Sequence, residues 1–213
     1  MFQKGVSIVV VVLFCVVAIA NAKTSAIAAK YKAIGEARLG KPSGAEKSSA
    51  GGGRVRLYAN GAIYWSKAGG AGAVYGPTFG KYKSLGAERG KLGYPVTDVL
   101  TTPDGGTQTL FRHGYILVGK SGAVEAEVMP NATYTASSVT YSGGTTVKMA
   151  SKTEALVSMP APQSGTQTVT CGCSDSQRLQ GGCAFSPAGI SQLRCSKGGC
   201  DKSCVITVVK HID

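Results

Sequence analysis

Apolar residues recur at a helical spacing in two stretches of the first half of the chain. They lie three or four residues apart at Ile27, Tyr31 and Ile34, and again at Phe79, Tyr82 and Leu85. This spacing places each set on one face of a short helix. The predicted helices begin at a cap, Ser25 or Thr78, and end at a glycine, Gly35 or Gly86.

After the first predicted helix, apolar residues recur at every second position. Val55 and Leu57, then Ile63 and Trp65, alternate with other residues around the dipeptide Asn60-Gly61. This pattern predicts a strand, a two-residue turn and a strand. The dipeptide His113-Gly114 has the same place in the second stretch, and Asn and His both tolerate a positive φ.

Three short motifs return later in the chain with a nearly constant offset of 51 or 53 residues. They are "KYKAIG" at 30–35 and "KYKSLG" at 81–86, "LGKP" at 39–42 and "LGYP" at 92–95, and "LYANGAI" at 57–63 and "LFRHGYI" at 110–116. An internal repeat of this kind fixes the architecture before any single residue is interpreted. We therefore predict two helix-plus-hairpin copies, at about residues 25–75 and 76–126.

These motifs resemble the LGFP repeat family, which is named for a Leu-Gly-Phe-Pro corner. The resemblance rests on the two corners, on "KYKSLGAERGKLGYPVTD" and on "GAIYWS" in the first copy. It covers roughly residues 25–125. The resemblance implies an exported module that associates with cell envelopes or walls, binds or anchors to glycans, and sometimes accompanies an esterase or hydrolase domain. Family members often carry four or five copies, whereas this chain has two.

The C-terminal region, residues 130–213, has a different composition. It is rich in Val and Thr and is broken by Gly, Pro and Ser, which is typical of short antiparallel strands. The fold class predicted for the whole chain is therefore α+β: a repeat pair at 23–129 followed by a small disulfide-rich β domain. "NAT" at Asn131 is a glycosylation acceptor if the host glycosylates exported chains.

Cysteine usage indicates an oxidising compartment. Six cysteines fall in the C-terminal region, at Cys171, Cys173, Cys183, Cys195, Cys200 and Cys204. An even number in a short exported segment predicts three disulfides, of which 15 pairings are conceivable. A zinc site is the alternative, but the spacing lacks paired C-x-x-C knuckles. We predict no metal and no cofactor.

The first 22 residues have the pattern of a secretory signal peptide. A positive charge at Lys4 precedes an apolar run from Ile8 to Ala20, and Ala20-Asn21-Ala22 offers a small-residue cleavage site. An uncleaved anchor is the alternative, but the run is shorter than the roughly 20 residues that span a bilayer. No transmembrane segment is expected after cleavage.

One match to a catalytic motif is expected to be coincidental. "GYILVGKS" at 114–121 satisfies the phosphate-binding pattern G-x-x-x-x-G-K-[ST]. Its four middle residues favour a strand, and the same stretch of the first copy is the second strand of the hairpin. The sequence also lacks a G-x-S-x-G elbow and an H-E-x-x-H motif. An enzymatic role is therefore less favoured than a binding role.

The net charge of +12 attracts polyanions. Nucleic acid is disfavoured because no binding motif for it is present. A cell-wall or extracellular polysaccharide, including an acidic one, is the better partner, and anionic membrane headgroups remain an alternative. The basic surface could also serve solubility alone. Self-association of the repeats is a further expectation.

The candidate glycan-binding residues cluster around the first hairpin and the second corner. They are Arg54, Arg56, Tyr64, Trp65, Tyr94 and Asp98. Alternation puts Ile63 and Trp65 on one face and Tyr64 on the other. We predict that Trp65 belongs to the core and that Tyr64 faces outward or into a groove as the sugar platform. The alternative exchanges these roles, with the sugar platform at Trp65 and Tyr64 in the core. The favoured function is a secreted, non-catalytic glycan-binding or wall-associating protein. The alternatives are an accessory or weak hydrolase of wall material and a cysteine-rich effector or defence protein.

Overall fold

The computed structural model describes residues 24–102, 104–160, 165–173, 182–187, 191–197 and 203–209. The predicted signal peptide lies outside these residues. The described part consists mostly of antiparallel sheets with few helices. The predicted fold class was α+β. Its β content is confirmed, but the described part of the protein is β-rich and not clearly α+β. Within the described ranges, we find no helix long and apolar enough to cross a membrane.

Among the described residues of the first half, the chain forms three helices and two four-stranded sheets. The helices are α1 (Ala26–Ile34), α2 (Glu36–Leu39) and α3 (Gly76–Ser84), with single 3-10 turns at Ala50–Gly52 and Ala87–Arg89. The first sheet contains, in spatial order, β1 (Lys47–Ser48), β2 (Arg54–Tyr58), β3 (Gly61–Ser66) and β4 (Gly70–Tyr75). The second contains β5 (Leu100–Thr101), β6 (Thr107–Phe111), β7 (Gly114–Val118) and β8 (Val124–Val128). Neighbouring strands are antiparallel.

The described stretches of the second half form two more four-stranded antiparallel sheets. Their strands are β9 (Ala132–Tyr134), β10 (Ser138–Tyr141), β11 (Thr146–Met149), β12 (Glu154–Met159), β13 (Gly165–Cys173), β14 (Cys183–Pro187), β15 (Gln192–Lys197) and β16 (Cys204–Val209). The third sheet has the order β14-β15-β10-β9, and the fourth has the order β11-β12-β13-β16. The prediction of short antiparallel strands in this region is confirmed for the described residues.

The ends of α1 and α3 follow the sequence signals in part. The Ser25 hydroxyl caps α1 by accepting a hydrogen bond from a first-turn backbone N–H at 3.1 Å. The two predicted stop glycines, Gly35 and Gly86, each have a φ of 87°. Thr78, however, is not a cap. It is buried inside α3, and the cap position belongs to Tyr75.

Both hairpin turns lie one residue earlier than predicted. Gly61 and Gly114 are the first residues of their strands, so the two-residue turns are Ala59–Asn60 and Arg112–His113. A positive φ at Asn60 and His113 was also a wrong prediction. Ala87 is the sole non-glycine residue with a positive φ in the part of the chain that the structure describes.

The two strand-opening glycines are needed because the next strand passes very close to them. A Cβ added to Gly61 would overlap the carbonyl oxygen of Val74 on β4. A Cβ added to Gly114 would overlap the carbonyl oxygen of Glu127 on β8. The sequence signal was therefore real, but its cause is close approach of two backbones.

The same contacts occur at equivalent positions of the two sets of repeated sequence motifs. The Tyr31 hydroxyl donates to the carbonyl of Gly40 at 3.2 Å, and the Tyr82 hydroxyl donates to that of Gly93 at 2.8 Å. Each tyrosine also packs against an aromatic ring of the sheet that follows it. The ring pairs are Tyr31 with Tyr58, at 4.6 Å between centroids, and Tyr82 with Phe111, at 4.5 Å.

The first sheet is covered on both faces. On one face Ile63 and Ala73 form a core cluster with Ile27 of α1. On the other face Tyr64 belongs to a second cluster, which includes Tyr82 of α3 and residues of the second sheet. The helix α3 contacts β3 and β4 as well as β7 and β8, so it packs between the two sheets.

A continuous core joins the second sheet to the C-terminal sheets. Leu110 and Tyr115 of the second sheet cluster with Met129, Val157 and further residues of the second half. The side chain of Gln108 adds polar contacts there, because its Nε2 donates to the Val208 carbonyl and its Oε1 accepts from the Val208 N–H, both at 3.0 Å. The third and fourth sheets therefore cover the face of the second sheet that α3 does not cover.

Between residues that the structure describes, two disulfides join the third sheet to the fourth. Cys171 on β13 bonds to Cys195 on β15, and Cys183 on β14 bonds to Cys204 on β16. Cys173 is also disulfide-bonded, and Cys200 lies outside the described residues. The sulfurs of Cys183, Cys195 and Cys204 lie within 4.8 Å of one another, and all three are consumed by these disulfides. Disulfide bonding is thus confirmed.

The pairing can be checked chemically. Partial reduction with stepwise alkylation, followed by peptide mapping, should recover the pairs Cys171–Cys195 and Cys183–Cys204 from exported protein. Stepwise labelling is needed because Cys171 and Cys173 are too close in sequence to be separated by proteolysis alone. A peptide that links Cys171 to Cys183, or a free thiol at any of the four paired positions, would contradict the structure.

Candidate functional site

Arg54 and Trp65 are direct neighbours across the first sheet. Arg54 opens β2 and pairs with Trp65 on β3, so both side chains leave the same face. Their outer neighbours in the same row are Ser48 on β1 and Ala71 on β4. Two large side chains thus stand between two small ones. The Arg54 side chain is 54% exposed, and Trp65 is partly buried.

A short chain of polar contacts fixes the Arg54 guanidinium. Its Nε lies 2.6 Å from Glu46 Oε1. The other carboxylate oxygen of Glu46 accepts a hydrogen bond from the Ser25 hydroxyl at 2.7 Å. Because Ser25 is also the cap of α1, the orientation of Arg54 is tied to the beginning of that helix. Glu46 was not predicted as a site residue, and only the folded chain brings it to Arg54.

Arg56 lies on the same face, one row further along β2. Its Nε donates to the carbonyl of Gly44 at 3.0 Å, and its guanidinium carbon lies 5.8 Å from the centroid of the Tyr58 ring. The residue is half-buried, and β3 offers the buried Ile63 as its cross-strand partner. Arg56 therefore adds positive charge beside Arg54 but is more fully engaged by the protein.

The favoured position of Tyr64, outward or in a groove, is wrong, and its alternative place in the core is confirmed. Tyr64 is 4% exposed, and its ring meets that of Tyr82 edge-on at 5.3 Å. Burial raises the pKa of its hydroxyl. The alternation argument failed because it assumed one solvent-facing side, whereas β3 is covered by α1 on one face and by α3 on the other. The glycan contact assigned to Tyr64 does not fit this buried position.

The position of Trp65 agrees partly with a core role and partly with a role as a sugar platform. It packs against the cluster that contains Ile27, Ile63 and Ala73, as a core residue would. It is nevertheless less buried than Ile63, which is fully enclosed two residues earlier on the same face. Trp65 therefore lies at the margin of this cluster and remains partly exposed to solvent.

Tyr94 and Asp98 connect parts of the fold and do not join Arg54 at the surface. The Tyr94 hydroxyl donates to the carbonyl of Ala50, and its ring lies 6.4 Å from that of Tyr64. Asp98 accepts from the Lys30 ammonium at 2.8 Å and from the N–H of Ala73 at 2.9 Å. Of the six predicted residues, the structure therefore gathers only Arg54, Arg56 and Trp65 on one face.

The phosphate-loop match has the predicted non-functional geometry. Gly114–Val118 is the strand β7, and the residues that follow turn directly into β8. A phosphate-binding loop needs backbone N–H groups at the beginning of a helix. No such helix follows this strand within residues 104–160, and Lys120 is exposed in the turn.

Positive charge at the surface of the first half is only partly balanced. Three ion pairs are present among the described residues, at Lys30–Asp98, Arg54–Glu46 and Arg89–Glu88. Many other basic side chains are exposed, among them Lys32, Arg38, Lys41, Lys47, Lys67, Lys83, Lys91, Arg112 and Lys120. This excess gives the half a field that attracts anions. Asn131 is partly exposed, and its glycosylation stays a prediction.

Comparison with known families identifies one segment. Residues 39–90 match the family model of the LGFP repeat, which confirms the resemblance predicted from the motifs. The match begins at the first corner, contains the whole first sheet and α3, and therefore includes Arg54 and Trp65. No curated protein matches the chain.

Proposed function

We propose that the protein is a secreted, non-catalytic glycan-binding or wall-associating protein. The observation that carries the proposal is the Arg54–Trp65 pair, an exposed cation beside a partly exposed indole, within the segment that matches the LGFP repeat. An aromatic ring suits the apolar face of a sugar. The surrounding positive surface suits a polysaccharide that carries negative charge.

The repeated contacts support two copies of one unit in this binding half. We infer that each copy consists of a helix, a corner and a sheet, with 23–129 as the repeat pair and 130–213 as a cysteine-rich β domain. Disulfides favour an extracellular or wall-associated location because they persist in oxidising compartments. Self-association of the repeats and glycosylation at Asn131 belong to the same proposal and await measurement.

The proposal predicts retention on insoluble polysaccharide. The purified chain should co-sediment with at least one member of a panel of chitin, cellulose, peptidoglycan and arabinogalactan. Trp65→Ala should lower the retained fraction about tenfold or more, because a stacking ring is lost. Trp65 also packs on the core, so thermal unfolding of the variant must be measured and the binding compared below its melting transition.

Tyr64→Phe is the matched control. It removes only a hydroxyl from a buried ring, so it should leave retention unchanged. If the parent chain is retained on none of the polymers, the glycan-binding proposal is wrong. If Trp65→Ala remains folded and is retained like the parent, the glycan site lies elsewhere.

A further inference from the structure

We propose that Arg54 is a carboxylate-selective contact, and that the ligand is a polysaccharide containing uronic acids. This inference rests on the proposed glycan-binding function. It assigns different roles to the two neighbours on the first sheet: Arg54 reads a carboxylate, and Trp65 supports the sugar ring that carries it. Glu46 is the positioning residue that holds Arg54 in place.

The guanidinium of Arg54 has a donor geometry that suits a carboxylate. A guanidinium has five N–H donors in one plane, and its shape matches a carboxylate through two parallel hydrogen bonds. Glu46 occupies the Nε side, while the Arg54 side chain as a whole remains 54% exposed. The two terminal nitrogens of Arg54 are therefore part of an exposed guanidinium, and the contact of its Nε with Glu46 already sets the plane of that group.

Preorganisation is the second step. An exposed arginine normally loses rotamer freedom when it binds a ligand, and this loss weakens the interaction. Here Glu46 holds the guanidinium, and the Ser25 hydroxyl at the end of α1 holds Glu46. Part of the ordering cost is thus met during folding. Arg89 also has an acidic neighbour, Glu88, but it is 76% exposed and lies 3.9 Å from this partner, so it is less well held.

The third step is the distance between the two contacts. Side chains directly opposite each other in an antiparallel pair start about 4.5–5.5 Å apart at Cβ. In a uronic acid the carboxylate is a direct substituent of the ring, so both groups fall within a span of this size. The small neighbours Ser48 and Ala71 leave space on either side of the pair.

A general positive field predicts different behaviour from a carboxylate contact. Arg54 already forms an ion pair with Glu46, so its net contribution to the field is small. Its contribution to binding must therefore come from its shape and donors. Lysine has the same charge but lacks the planar fork. Arg54→Lys separates these two possibilities at constant net charge.

The test uses sodium polygalacturonate and the same polymer after chemical reduction of its carboxylates, at one fixed ionic strength. The parent chain should bind the carboxylated polymer at least about tenfold more tightly than the reduced one. Arg54→Lys should lose about tenfold in affinity for the carboxylated polymer, the factor that a lost charge-assisted hydrogen bond implies. It should keep its affinity for the reduced polymer. Arg89→Lys is the matched control and should change neither.

Glu46→Ala provides a second test, because the two explanations predict opposite changes in its affinity for polygalacturonate. The variant has one more net positive charge, so a general field would strengthen its binding to polygalacturonate. Loss of the positioning contact should weaken it instead. The thermal transition of each variant establishes that it is folded.

Two results would overturn the inference: equal binding of both polymers by the parent, or unchanged binding by Arg54→Lys. If the chain is still retained on a neutral polysaccharide, only the carboxylate inference fails. If it binds no polysaccharide at all, the proposed function fails with it.

Discussion

Gly114→Ala should destabilise the protein by about 3 kcal/mol or more, because two penalties act at one residue. The first is steric: an added Cβ would overlap the carbonyl oxygen of Glu127 on β8 and also press on Leu92. Backbone cannot move aside as a flexible side chain can, so β7 and β8 would have to separate. The second is conformational, since Gly114 has a φ of 148°. Denaturant unfolding measures the loss.

Two other glycines separate these penalties. Gly122 has a φ of 92° but open space where a Cβ would lie, so Gly122→Ala should cost only the backbone term of about 1–2 kcal/mol. Gly44 has open space and no positive φ, so Gly44→Ala should stay within about 0.5 kcal/mol of the parent. If Gly114→Ala proves no worse than Gly122→Ala, the strands are not as close as the structure indicates.

The glycines show how far local sequence patterns determine this fold. The dipeptides Asn60-Gly61 and His113-Gly114 correctly predicted a hairpin at each place, with an error of one residue in the turn. Turn propensities depend only on residues adjacent to the glycine in sequence. The contact that requires glycine comes from a third strand, more than ten residues later, and no rule of local conformation includes it.

The candidate site shows the same division between local and tertiary information. The sequence predicted the hairpin that carries Arg54 and Trp65, but a turn at Asn60-Gly61 would place Arg56 opposite Trp65. The turn lies one residue earlier, and this shifts the register by two residues and brings Arg54 opposite Trp65. The burial of Tyr64 depends on α3, which packs on the opposite face of the sheet. The contact of Glu46 with Arg54 depends on an irregular segment before β2. The sequence pattern contains no signal for either arrangement.

The junction between the two halves is a further case, because its polar contact joins residues 100 positions apart. Gln108 lies in β6 and is fully buried, and its amide makes two hydrogen bonds to the backbone of Val208 on β16. The strand β16 is at the end of its sheet, so these bonds occupy backbone groups that have no strand beside them. A glutamine thus acts where a neighbouring strand would otherwise pair.

Gln108→Leu should therefore cost about 2–6 kcal/mol, since it leaves one buried N–H and one buried C=O without partners at about 1–3 kcal/mol each. This is a large part of the roughly 5–15 kcal/mol that stabilises a typical domain. The loss should affect both halves together, because the core around Gln108 is continuous. Urea unfolding followed separately by Trp65 fluorescence and by far-UV circular dichroism should show one lowered transition.

A direct readout is hydrogen exchange at the Val208 amide, which should become faster in Gln108→Leu than in the parent even under conditions where both are folded. Gln192→Leu is the matched control: Gln192 is partly exposed on β15, so the same chemical change should alter stability by no more than about 0.5 kcal/mol. If Gln108→Leu resembles this control in both stability and exchange, the amide contact does not hold the halves together. The apolar packing of Leu110, Tyr115 and Leu117 against the C-terminal sheets would then account for the junction by itself.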